Sequence, residues 1–323
     1  MYHQFDSPRE RNCSLSFRRP PAALSRGELT KNLAQSVTRR AALKQFGVGL
    51  AGMALMRLGL REAHAITNGQ LDGDAHPNVG GVVWLVSPIP GIPAPMFGGS
   101  GTLIHPRVYL TAGHGTLLVE SLMAQGAMTL DDLLVSFAAD ATDPGTWRPV
   151  SGMLTHPDFV NNPSNGASGG ADVGVLIFDE PVAGITPLPL PTLNVLDALK
   201  DAGKLKTTSD RTGFTVVGYG VDAGDNNYGH QPFPPDGHRR SAQIEFRNLH
   251  DQWLYTEERD NGASSRGDSG GPLFFVDPVT SQETFVAVVC RGTLTNGHNC
   301  RVDTALVLDF INDVIARVEA GEI

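Results

Sequence analysis

The chain has 323 residues, a formal charge of −9, 41% hydrophobic and 18% charged residues, enough for one large domain or two packed ones with a sizeable core. It contains no run of 18 apolar residues, which excludes an ordinary membrane-spanning protein. Three cysteines exclude a disulfide scaffold, and no Cys/His cluster has zinc-site spacing.

Charge divides the chain. Residues 1–65 carry 11 Lys/Arg and 4 Asp/Glu, whereas residues 66–323 carry 14 Lys/Arg against 30 Asp/Glu. A body this acidic repels nucleic acid and anionic lipid, so neither is an expected partner. Residues 1–37, with Arg18-Arg19-Pro20-Pro21 and no hydrophobic period, read as a disordered extension or as sequence upstream of the true start. Residues 38–65 read as an export signal. They run Thr38-Arg39-Arg40-Ala41-Ala42-Leu43-Lys44, then a mildly apolar stretch from Phe46 to Met56, then a small-x-small site at Ala63-His64-Ala65. The paired arginines before Leu43-Lys44 resemble a twin-arginine signal, with Ala42 where that pattern usually has Phe. The apolar stretch, interrupted by Arg57, is too short for a ~30 Å hydrocarbon core. The expected product is an exported monomer of the periplasm or extracellular space, off the membrane once its signal is removed.

From Ile66 onward the chain is a series of short β-rich runs between Gly, Pro, Asn and Asp. They include Gly81–Ser87, Val108–Leu110, Leu133–Ala138, Val173–Phe178, Phe214–Tyr219, Ala242–Phe246, Leu273–Val276 and Thr284–Val289. Such spacing predicts an all-β barrel or sandwich. Leu117–Gln125 and Leu193–Ala202 read as helices, and Pro187–Pro191 marks a seam between two β units. At the C-terminal end, Leu308, Ile311, Ile315 and Val318 recur at helical spacing and predict a helix docked by that face.

Three strings carry chemistry. Gly267-Asp268-Ser269-Gly270-Gly271-Pro272 precedes a strand, and its glycines let the backbone turn so that N–H groups converge on one point. A serine hydroxyl there becomes a nucleophile only if a base removes its proton. Thr111-Ala112-Gly113-His114 ends an apolar run, and Ala171-Asp172-Val173-Gly174-Val175-Leu176 opens one. Singly, His114 and Asp172 are weak signals. An esterase of the α/β-hydrolase kind would need the order Ser, acid, His and a helix after the serine, but both partners precede Ser269 and Pro272 leads into a strand.

In the order His114, Asp172, Ser269, these strings resemble the trypsin/chymotrypsin-like serine proteases, and the resemblance runs through nearly all of 66–323. Gly101-Thr102-Leu103-Ile104, Leu154-Thr155-His156-Pro157 and Gly218-Tyr219-Gly220 are similar to the family's flanking strings. The resemblance implies two six-stranded antiparallel β-barrels, one over about 66–190 and the other over about 210–305, with a C-terminal helix over about 308–319. It implies a serine endopeptidase acting on polypeptide through an acyl-enzyme intermediate, without metal or organic cofactor. Ser269 would be the nucleophile, His114 the base, Asp172 its partner, and the N–H groups of Gly267 and Ser269 the oxyanion hole. It further implies that a free Ile66 ammonium, created by the signal cut after Ala65, pairs with Asp268 and orders the site. The alternative is a catalytically inactive relative that acts by binding.

Departures from the family's pattern bear on substrate more than on catalysis. Gly99 and Gly115 stand where a disulfide usually ties the histidine loop, and Ser265 replaces a usual cysteine. Cys290-Arg291-Gly292 stands where Ser-Trp-Gly is usual, so the customary serine support of Asp172 and the aromatic wall are both changed. Cys290 and Cys300 are either bridged, which an exported setting permits, or two free thiols. The pocket floor falls at Ala263, which gives a substrate Lys or Arg no partner. Arg266, Arg291 and Arg301 near the expected pocket leave two options: they receive an acidic P1 side chain, or they face solvent around a pocket for small or apolar ones. Asp303 is a further candidate for pocket charge. Asp222-Ala223-Gly224-Asp225-Asn226-Asn227 reads as a solvated turn rather than a calcium loop.

Overall fold

The computed structural model describes residues 69–89, 91–160, 171–208, 210–221, 235–257, 264–293 and 296–323. The export segment, Ile66, Ala263 and the oxygen-rich loop 222–227 lie outside these residues.

The first half holds β1 (Gln70–Leu71), β2 (Val79–Trp84), β3 (Met96–His105), β4 (Val108–Thr111), helix α1 (Gly113–Ala124), β5 (Leu133–Ser136), β6 (Trp147–Pro149), β7 (Gly152–Thr155) and β8 (Gly174–Ile177). All but β1 form one curled antiparallel sheet in the order β6-β5-β2-β3-β4-β8-β7. Helix α2 (Val195–Asp201) lies in the connection to β9 (Gly213–Gly218), β10 (Arg240–Leu249), β11 (Trp253–Glu257), β12 (Pro272–Val276), β13 (Glu283–Thr293) and β14 (Asn296–Arg301), followed by α3 (Ala305–Glu319). These six strands run β9-β10-β11-β14-β13-β12, and β12 pairs back with β9 to close a barrel. β1 adds to β10 as a strap.

The molecule is thus mostly β, with one closed six-stranded barrel, one curled sheet and a C-terminal helix, compatible with a trypsin-like fold. The first sheet differs from the expected closed barrel: among the described residues its end strands β6 and β7 are not paired with each other. Both are short and half-buried or exposed, and β6 ends at Pro149, which has no N–H to give a ladder.

Three apolar cores explain the strand sequences. Tyr109 and Leu176 point into the first sheet with Trp84, Leu103 and Phe137. Phe214, Val216, Ile244, Leu273 and Val286 fill the barrel. Val108, Leu110, Val175 and Ile177 point the other way, to a third core shared with Val217, Phe274 and Val288 of the barrel. β4 and β8 are therefore buried on both faces and read as unbroken apolar runs. Helix α3 seals this third core with Val307, Ile311, Val314 and Val318. It starts at Ala305, earlier than expected, because the Thr304 hydroxyl caps the Val307 N–H, and the buried face is rotated from Leu308 and Ile315 toward Val307 and Val314. No helix among the described residues is long and apolar enough to cross a membrane.

Candidate active site

The site forms where β4 and β8 end beside each other. Thr111 pairs with Gly174, so the residues just beyond these strand ends meet at one edge. The chain turns from β4 directly into α1, four residues earlier than the sequence suggested, and His114 is the helix's second residue. A side chain at Gly113 would lie 2.8 Å from the Val173 carbonyl oxygen, so only glycine lets the two segments touch. In that contact the His114 backbone N–H donates to Asp172 Oδ1 at 2.7 Å, and His114 Nδ1 lies 2.9 Å from Asp172 Oδ2. Ala171, at φ 128, holds a conformation costly for a residue with a Cβ and turns Asp172 into place.

The Ser269 turn docks on the same strand end. Gly270 has φ +86, and a Cβ there would lie 2.3 Å from Thr111 Oγ1 and 2.6 Å from the Ala112 nitrogen. Ser100 of β3 braces the turn from the opposite side. Its N–H donates to the Ser269 carbonyl at 2.8 Å, and its hydroxyl donates to the Gly267 carbonyl at 2.6 Å. Gly270 N–H to the Val289 carbonyl, at 2.7 Å, ties the turn to β13. Among the described residues no acceptor takes the Gly267 or Ser269 N–H, and Ser269 Oγ makes no hydrogen bond. His114 and Asp172 are therefore joined directly, and Ser269 sits on a separately braced turn docked on the strand end that leads to His114.

Burial disfavours a charged His114, yet the Asp172 charge and hydrogen bond outweigh it and hold the imidazole above its ordinary 6.5, with the Arg291 charge pulling the other way. Burial likewise works against ionised Asp172. The His114 charge, its hydrogen bonds and the Cys290 thiol overcome this and hold the carboxyl below its ordinary range. Asp172 is thus a fixed anion whose only capacity is to accept.

Asp268 is completely buried. It accepts the Gly220 N–H at 2.8 Å, the Ser265 N–H at 2.7 Å and the Ser265 hydroxyl at 2.9 Å. Ser265 thereby becomes part of the support of the Ser269 turn. Cys290 and Cys300 are both buried free thiols in this structure, and the Cys290 thiol is hydrogen-bonded to Cys300. Cys300 faces Val288 across the ladder, while Cys290 falls at the irregularity between Val289 and Arg291, its sulfur 3.6 Å from the Asp172 main-chain oxygen.

Of the expected pocket residues, Ala263 lies outside the described residues. Gly292 pairs with Gly297 and Arg291 with His298 across β13 and β14. Arg266 is half-buried on the Ser269 turn. Arg301 and Asp303 are not pocket residues. Arg301 Nε donates to Asp303 Oδ1 at 2.9 Å, and Asp303 Oδ2 accepts the Leu196 N–H at 2.8 Å, so the pair anchors α2 to the barrel. The residues that sequence reasoning missed are Ser100 and His298, neither of which sits in a string that announces its contact. No protein-family model and no curated protein sequence matches this chain.

Proposed function

We propose that this protein is an exported serine endopeptidase of the trypsin/chymotrypsin-like kind. The observation that carries the reading is the His114–Asp172 pair at 2.9 Å beside a nucleophile turn whose Gly270 packs on the strand end leading to His114. On this reading the curled sheet is the fold's other barrel, closed by chain continuity rather than by a ladder. Residues 147–149 pair with β5 and residues 152–155 with β8, while the Ser151 N–H between them donates to the Ile177 carbonyl at 2.8 Å.

The mechanism follows from proton positions. Asp172 can only accept, so His114 carries its proton on Nδ1 and presents the Nε2 lone pair as a base. Ser269 Oγ attacks the peptide carbonyl carbon as its proton passes to Nε2. The resulting oxyanion is met by the Gly267 and Ser269 N–H groups, each such donor contributing about 3–4 kcal/mol. His114 then gives the proton to the leaving amine, and water repeats the sequence to release the acid. Signal cleavage after Ala65 would free the Ile66 ammonium to join the buried Asp268 cluster as its counter-charge.

A fluorophosphonate probe applied to the chain starting at Ile66, followed by intact mass, tests the reading. One adduct in the wild type and none in Ser269→Ala is the expected result. A folded protein with no adduct would sink it and leave the inactive binding relative.

A further inference from the structure

We infer that the cleft selects polypeptides with an acidic residue on the acyl side of the scissile bond, and that Arg291 is the residue that selects it. The inference rests on the protease reading and names its substrate class.

Position comes first. Arg291 follows Cys290, whose sulfur lies 3.6 Å from the Asp172 main-chain oxygen, so β13 brings Arg291 to the strand position next to the His–Asp pair. Its charge acts directly on His114.

The state of the side chain comes second. In a body with 14 basic against 30 acidic residues, arginines readily find carboxylates. Arg211, Arg239, Arg240 and Arg301 are each held by one or two. Arg291 has no carboxylate partner among the described residues, and its Nε is buried without an acceptor. A guanidinium that merely faced solvent would hydrate Nε; this one has surrendered that water and gained nothing in return.

The surroundings are the third observation. His298, directly across the ladder from Arg291, also has a buried Nδ1 without a partner. Burial and two cations, Arg291 and Arg247, all depress its pKa, and no carboxylate opposes them. A guanidinium with a buried, unpartnered Nε, across the ladder from an imidazole kept neutral, calls for a ligand that accepts, and a planar carboxylate fits arginine in two-point fashion. A small or apolar side chain would leave the Arg291 Nε unmet.

The test uses internally quenched peptides that differ only by Asp/Asn or Glu/Gln exchange at P1, P2 or P3. At one of these positions the acid should raise kcat/KM over its amide by roughly 10- to 100-fold, the scale of a charge-assisted hydrogen bond. In Arg291→Gln the acid/amide ratio should fall to about 1, and Arg291→Lys should keep part of it. Because the ratio is internal to each protein, a general loss of activity does not imitate it. Equal cleavage of acid and amide at all three positions, by wild-type protein that takes the fluorophosphonate on Ser269, would overturn the inference and leave the protease reading standing. A preference that survives Arg291→Gln would overturn the assignment of Arg291. Failure of the wild type to take the probe would overturn both readings.

Discussion

The state of one imidazole proton decides what the site can do. Asp172 is 4% exposed and accepts both the main-chain N–H and Nδ1 of His114, so it fixes the ring's position and its tautomer together. Asp172→Asn keeps the shape but presents an amide N–H as well as an oxygen, which favours the wrong tautomer. The expected result is a loss of roughly 10⁴ in kcat with little change in the far-ultraviolet spectrum; a loss below tenfold would remove Asp172 from the mechanism. The same pair fixes the pH response. His114 must be neutral to act as base, and its pKa is raised above 6.5, so the acid limb of kcat/KM should lie above that value. Stability runs the other way, because a raised folded pKa contributes in full below 6.5 and is lost as pH rises through it. These residues were legible because their strings combine glycine spacing with chemistry. Ser100 was not, since a serine between two glycines carries no mark of the two carbonyl and amide contacts it makes across the fold.

Elements bring these residues together through close backbone contact, and two glycines test that cheaply. Gly270→Ala places a methyl against Thr111 Oγ1 at 2.3 Å and Ser100 O at 2.4 Å, in a backbone that already requires φ +86. Strain and overpacking together should cost about 2–4 kcal/mol in urea unfolding and abolish probe labelling of Ser269. Gly115→Ala sits within α1 with nothing inside 4 Å, so the same methyl should instead stabilise by roughly 0.5–1 kcal/mol. Equal effects at the two positions would deny that the turn is docked on β4. The strands that sequence reasoning located are those with a strong apolar face, such as β8 and β12. It missed β14, Asn296–Arg301, because that strand is polar in composition and owes its place to β11 and β13 on either side. The face of α3 was misjudged for a different reason: 308-311-315-318 and 307-311-314-318 are both helical spacings, and only packing on the shared core selects the second.

At the scale of the whole molecule, a polar chain stitches the strap before β2 to both β units. Arg239, fully buried, donates to the Val79 carbonyl at 3.0 Å and the Phe137 carbonyl at 2.9 Å in the first sheet, and to Asp72 at 3.0 Å. Asp72 meets His76 Nδ1 at 2.6 Å, and His76 Nε2 meets Glu283 of β13 at 2.8 Å, with the Phe274 ring stacked on the imidazole. No sequence pattern foretold this, since a buried arginine becomes tolerable only when distant main-chain oxygens happen to surround it. Ile66 stands four residues ahead of Gln70 in the sequence. On the proposed activation by the Ile66 ammonium, one glycine added before Ile66 should cost roughly 10²- to 10³-fold in kcat/KM, with the unfolding midpoint nearly unchanged. Full activity in that form would remove the activation role of Ile66.

The strap makes the alkaline limit of stability a property of one histidine. Burial works against charged His76, but its hydrogen bonds to Asp72 and Glu283 and their charges raise its pKa to about 9. Because the folded value exceeds the unfolded one, the stabilisation is complete below 6.5 and lost as pH rises through 9. At most it is worth about 3–4 kcal/mol, one pKa unit corresponding to about 1.4 kcal/mol. Burial also works against ionised Asp72, and its partners His76 and Arg239 overcome it. Its pKa falls below 3.8, so its contribution is present above that value and fades as pH falls. Urea unfolding should accordingly show a plateau in the weakly acidic range and a decline toward pH 9. His114 titrates in the same direction, so the strap's own share is the part of the decline that His76→Gln removes. If the decline is unchanged in His76→Gln, the strap is not what holds the two β units together at alkaline pH.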